Sequence, residues 1–469
     1  MSLLNTLQQG GIGLSTHRGA ANVASTNMQN VNTPGYSRQR ADLVAVQGSP
    51  YRGVQLGGGV NLRSVQQLRD AFVERQLPEA RSERYLAQGR ADGLSNLALQ
   101  EPSSPDSVSS RIASFFNAMR QLSTNPNDTS VRQAVLAESQ RLSQSIHRDA
   151  QSLADSATAI DSRITDSLPR VNELSLSVVR LNQAIRETSA QGTPNELLDQ
   201  RQRAVDELSE LTGIIPLQNE AGDITLSLPS GVALVSVAGA AKLSALPDPA
   251  NGGRVSIVLT RTDGNGTIAL TDNDMGGEIR GLLDARDIDI AGATADLDTL
   301  AFDFANAINA VHQAGFAPDG STGRPLFAVG ATAPGSALNF GLDPAVAGNP
   351  AALQAGTVLD VTGRPAAGDG RNALALLAIE RANLPGGSPP AIAAATLVSD
   401  VGNALATAET EAEATELRLD RLNQLREETS GVSVDEEMVE LMRSQRAFEA
   451  VSKVIKVIDD MLNTLLNLK

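Results

Sequence analysis

The chain has 469 residues, 38 Lys+Arg against 54 Asp+Glu, a net charge of −16, three His and no Cys. That length suggests about three domains. The acidic balance argues against a phosphate-neutralising nucleic-acid binder, the missing thiols exclude disulfides, thiolate zinc sites and cysteine nucleophiles, and 3% aromatics with no Trp leave little to line a small-molecule pocket.

In chain order, Leu3, Leu7, Leu14, Ala21, Ala24, Met28 and Val31 recur near a 3.5-residue spacing, which predicts a helix with a coiled-coil seam. It stops at Asn32-Thr33-Pro34-Gly35, where the residue before proline is pushed out of the α region. Residues 36–65 read as an extended linker with a hairpin. From 66 to 212 the texture is helical, broken at Pro102 to Pro105, Asn125-Pro126-Asn127 and Gly192-Thr193-Pro194. Alternating pieces between 214 and 275, such as Ile224-Thr225-Leu226-Ser227-Leu228, predict strands.

Helix returns from Gly277 to Ala314, residues 315–372 are irregular, and a further helix spans 393–429. Ser433 and Glu436 form a capping-box pattern ahead of the last helix. Its Leu441, Phe448, Ile455, Leu462 and Val451, Ile458, Leu465 make two seven-residue series, interrupted at Ser444. The fold class expected is mainly α with a β insertion. Residues 1–50 with 430–469 would form a coaxial, coiled-coil-like assembly domain, 51–213 with 276–429 a long helical-bundle domain, and 214–275 a small outer β domain. Flanking helices that read as one bundle predict that deleting 222–274 leaves a foldable protein.

No catalytic, cofactor or metal site emerges. His17, His147 and His312 are scattered, and no H-x-x-x-H pair is present. Asp272-x-Asp274-x-Gly276-Gly277 opens like a calcium loop, but Leu283 stands where a bidentate glutamate is needed. Paired carboxylates at 427–428, 435–436 and 459–460 fall in helical texture, where solvated faces explain them. The longest uncharged apolar run, Val232 to Ala241, is about half a bilayer span, and Met1 to Gln9 lacks the basic start of a cleaved signal peptide. The heptad stripes alone fit an ordinary amphipathic core as well as an assembly seam.

Residues 22–39, ending Asn32-Thr33-Pro34-Gly35-Tyr36-Ser37-Arg38-Gln39, resemble the N-terminal signature of bacterial flagellar axial proteins, in the form found in the hook-associated protein 1 family. Pro194 to Arg201, Gly276-Gly277 with Gly281-Leu282-Leu283, Asn309 with His312 and Gly315-Phe316, Asn372 to Leu376, and Ser430 to Glu437 through Phe448 to Leu468 match the same family in order. The resemblance implies paired terminal helices, a helical bundle and an outer β domain. A second outer domain would be absent or reduced, Pro325 to Gly370 being too short and too poor in strand pattern to form it. It also implies a non-enzymatic structural subunit of the extracellular flagellum, exported without a cleaved signal peptide for assembly and motility. That subunit would polymerise between hook and filament, with no cofactor, nucleic acid or membrane. Its partners would be copies of itself, hook protein, a second junction protein or flagellin, and an export chaperone at the C-terminal helix. A rod or hook subunit is the alternative, and an exported hydrolase a remote one. The glycines of the first helix each cost about 1 kcal/mol, so the terminal helices are expected to be largely disordered before assembly.

Overall fold

The computed structural model describes residues 3–48, 50–51, 54–55, 57–189, 192–264, 266–362, 366 and 368–467. Helix α1 (Leu3–Gln29) leads through the Asn32–Gln39 loop into a hairpin, β1 (Gln39–Ala45) antiparallel to β4 (Val60–Gln67), with the short pair β2 (Pro50–Tyr51) and β3 (Val54–Gln55) at its far end. The chain then runs out through α2 (Ala71–Ser95), α3 (Val108–Thr124), α4 (Thr129–Ser189) and α5 (Asn195–Thr212). Sequence signals explain the breaks. Asp70 caps α2 by accepting from Phe72 and Val73 amides, Ser107 caps α3, and Gly213 closes α5 at φ 64°, a left-handed position that glycine adopts at little cost.

The β insertion folds as two small sheets. One has the order β5 (Ile215–Gln218), β6 (Ile224–Ser227), β7 (Ala233–Ser236), β8 (Gly239–Ala240). The other is β11 (Thr267–Ala269), β10 (Val255–Thr260), β9 (Lys242–Pro247). The insertion does not have a core of its own. Leu226, Val235, Leu243, Ile257 and Leu259 belong to the same continuous buried cluster as Ile160, Ile164, Val171 and Val178 of α4. Asn172 and Asn182 of α4 stitch the contact, each donating to and accepting from strand backbone at Leu243 and Ile224. Deletion of 222–274 would therefore strip the apolar face of α4, contrary to the sequence expectation.

The return path is α6 (Gly277–Asp284), a π-helical turn (Ala285–Ile290), α7 (Ala291–His312), then β12 (Phe327–Ala328), α8 (Ser336–Asn339), β13 (Gly341–Leu342) and α9 (Arg371–Leu377). Phe115, Phe304, Phe327 and Phe340 pack at centroid separations of 4.8–6.4 Å, so the irregular 315–372 segment closes one end of the core. Helix α10 (Pro390–Ser430) descends beside α2, where Val73, Leu77 and Ala80 meet Leu419 and Leu422. Helix α11 (Val434–Asn467) ends the chain. One helical segment within Pro390–Thr464 is long and apolar enough to cross a membrane by length and composition, with mean hydropathy 1.3. Counting uncharged runs missed it, because single charges such as Asp400 divide an alanine-rich stretch.

Candidate assembly interface

Helix α1 lies antiparallel against α11. Gly10 faces Ile455 and Gly13 faces Val451, while Asn27 at the other end of α1 meets Glu437. A Cβ on Gly10 would come within 2.7 Å of Ile455 Cγ1, so the glycine lets the two backbones approach closely. The β1–β4 hairpin covers a second side of α1: Thr16 Oγ1 lies 3.2 Å from the Val60 carbonyl, and Gly19 abuts Leu62.

Of the apolar stripe on α1, Ala24 is buried, Leu3, Leu7, Leu14, Ala21 and Met28 are half-buried, and Val31 is exposed beyond the helix end. The fully buried face of α1 is Gly13, Thr16, Ala20, Ala24 and Asn27. On α11, Ile458 is buried, Leu441, Val451, Ile455 and Leu462 are half-buried, and Phe448 is exposed. The Leu465 side chain lies outside the described residues. Ser444, which interrupts the series, is itself buried at 4% exposure. Much of α11 is left uncovered within one chain, with Met438, Val439, Met442, Val454, Val457 and Met461 all exposed. Contiguous apolar exposure of this kind marks an interaction surface.

The loop Asn32–Gln39 joins this pair to the body. Asn32, Thr33 and Pro34 are exposed, and Gly35 turns at φ 74°, where a Cβ would meet Arg203. Tyr36 Oη donates to Asn27 Oδ1 at 2.8 Å, and burial, reinforced by Asp199 and Glu437, pushes its phenol up to about 12. Asn27 Nδ2 donates to Glu437 Oε2 at 2.9 Å, and Arg38 Nε to Glu437 Oε1 at 2.7 Å. Glu437 is thus a buried carboxylate with charge-assisted partners on both oxygens. Arg38 also pairs with Glu436 at 2.7 Å and donates its amide to the Ser430 carbonyl at 2.9 Å. The next side chain, Ser37, is buried on the body side: Arg69 Nε donates to its Oγ at 3.1 Å, and Arg69 Nη2 to Asp199 Oδ1 at 2.7 Å.

Periodicity missed these polar groups because it scores only apolar positions. A signal was present, since Glu437 occupies the same seven-residue series as Ser444, Val451 and Ile458. The other family-like motifs fold into comparable knots. Asn309 ties down Leu326 and Phe327 backbone, and His312 bridges the Arg324 carbonyl at 2.8 Å and the Gln354 amide at 3.1 Å. Asp274 accepts from Thr271, capping a turn rather than pointing into a loop centre. Among the described residues no group of three or more acidic or His side chains is placed to hold a metal ion.

Two family models match the chain: the flagellar hook-associated protein FlgK helical domain over residues 96–327, and the flagellar basal body rod FlgEFG protein C-terminal region over 423–468. Flagellar hook-associated protein 1 of Escherichia coli is 26% identical over 550 aligned residues covering 100% of each chain. The Bacillus subtilis protein of that name is 26% identical over 491, covering 97% of this chain and 96% of its own. The solved flagellar hook junction protein FlgK from Burkholderia pseudomallei superposes with a TM-score of 0.68 at 18% identity, covering 76% of this chain and 100% of that one. Family domains in the body and at the C-terminal helix, relatives aligned from end to end and a shared fold agree, and the chain belongs to the flagellar hook-associated protein 1 family.

Proposed function

We propose that the chain polymerises at the boundary between hook and filament as a structural adaptor, with α1 and α11 as the assembly element. The observation that carries this is the apolar face of α11, which is left exposed among the described residues of one chain and which a packed array of copies would bury. Copies of the chain, hook protein, and a second junction protein or flagellin are the partners proposed. Before assembly, an export chaperone would shield the same C-terminal helix. Export without a cleaved signal peptide and the absence of catalysis complete the proposal. The helical-domain match over 96–327 favours a junction subunit over a rod or hook subunit, whose likeness is confined to 423–468. Immunogold labelling of isolated flagella tests it: label only at the hook–filament boundary supports the adaptor, and label along the hook or rod overturns it. A zymogram on cell-wall polysaccharide that clears would overturn the non-enzymatic part.

A further inference from the structure

Asp149 of α4 is 3% exposed, and its Oδ1 has no hydrogen-bond partner. It lines a small cavity with Ser107, Val108 and Ser109 at the start of α3, Leu297 of α7, and Leu397 and Val398 of α10. The hydroxyls that line the cavity with it are already used, since Ser107 and Ser109 both donate to the Pro102 carbonyl. No titratable or charged group lines the cavity from α3, α7 or α10. The charge that acts on it is its neighbour Arg148, which turns outward to the Asp106 carbonyl at 2.8 Å and to Ser145.

We propose that Asp149 is a buried proton-binding site that fastens the start of α3 against α4, α7 and α10 when protonated and loosens it when ionised. An ionised carboxylate with an oxygen held away from water without a donor costs more than a neutral carboxyl, which carries its own O–H donor. The positive end of the α3 dipole offsets part of that cost. Burial pushes the Asp149 carboxyl up to about 6, so the change of state falls just below neutral pH. Because the folded state holds the proton more tightly than the unfolded chain, this group lowers stability as pH rises from about 4 to about 6 and keeps it lowered above.

The test is urea unfolding of the full chain from pH 4.5 to 8 for wild type, Asp149→Asn and Asp149→Leu. Asp149→Asn should lie nearest wild type at pH 4.5 and have a folding equilibrium constant at least about tenfold higher at pH 7.5, the gap widening from about pH 4 and complete just above pH 6. Asp149→Leu, which has no polar atom to satisfy, should open the same gap even if it is offset at every pH. Native-state hydrogen exchange corrected for intrinsic rates should show Val108–Ile112 losing protection with rising pH in wild type only. Variants less stable than wild type by a pH-independent factor would overturn the proposal, because that result means an ionised, paired Asp149. A pH-dependent loss of protection spread evenly over the chain would overturn the assignment to α3.

Discussion

His312 is buried at 1% exposure, with one ring nitrogen on the Arg324 carbonyl and the other accepting the Gln354 amide. That arrangement requires neutral imidazole, and burial pushes the group down to about 4. The unfolded chain binds the proton more readily between about pH 4 and 6.5, so stability is full above 6.5 and falls by about 3 kcal/mol as pH drops to 4. Urea titrations of His312→Gln against wild type should show a difference that shrinks towards pH 4. Asp149 has the opposite sign in the same window, so wild type should be flatter with pH than either His312→Gln or Asp149→Asn. At the terminal pair, Arg38→Ala leaves the Glu437 carboxylate buried with one charge-assisted partner gone, at a cost of about 3 kcal/mol. In the polymer, hydrogen exchange should then accelerate in the first turns of α11 more than near Ile458, and Arg38→Ala combined with Glu437→Gln should recover part of the loss.

Among the elements, the glycines of α1 separate propensity from packing. Alanine is favoured over glycine in a helix by about 1 kcal/mol. Nothing lies within 4 Å of a Cβ built on Gly11, and the contact at Gly13 is an ordinary 3.5 Å, but at Gly10 it is 2.7 Å from Ile455. Gly11→Ala and Gly13→Ala should therefore raise helicity of the terminal pair by circular dichroism, while Gly10→Ala should gain less or lose. Ile455→Asp or Leu441→Asp would bring a carboxylate without a partner to the seam, costing several kcal/mol. Motility and filament assembly should fail while the body still unfolds cooperatively, and normal filaments would refute the seam. Helix positions were legible in the sequence because the 3.6 period, Pro and Gly breaks and Ser or Asp caps are local. Which side chains meet across α1 and α11 was not: Asn27 and Glu437 read as polar surface until the antiparallel pairing brings them together, as does Thr16 until the hairpin covers it. The strands at 214–275 were legible for the same local reason, yet their shared core with α4 was hidden, since contact between residues 172 and 243 leaves no periodic trace.

For the whole molecule, the uncovered face of α11 and the glycine-rich α1 predict coupling of folding to assembly. In the free subunit, amides of Leu7–Gln29 and Leu441–Leu462 should exchange rapidly beside a protected body, and the polymer should protect them; strong protection in the monomer would sink the coupling. The chain crosses between terminal pair and body twice, outward at residues 68–70 after the hairpin and inward near Ser430, and Arg38 links the two crossings, its carbonyl accepting the Leu68 amide and its own amide donating to the Ser430 carbonyl. In mechanical terms this is a two-stranded strap. A single covalent thread swivels freely, whereas two threads tied side by side bend in one plane and resist twist, so torque passing along the axis would be delivered to the outer body instead of being lost in rotation at the neck. Single-molecule energy transfer between labels on α11 and α5 should give a narrow distribution for the wild-type polymer and a broader one for Arg38→Ala, and equal widths would show that the tie contributes no stiffness.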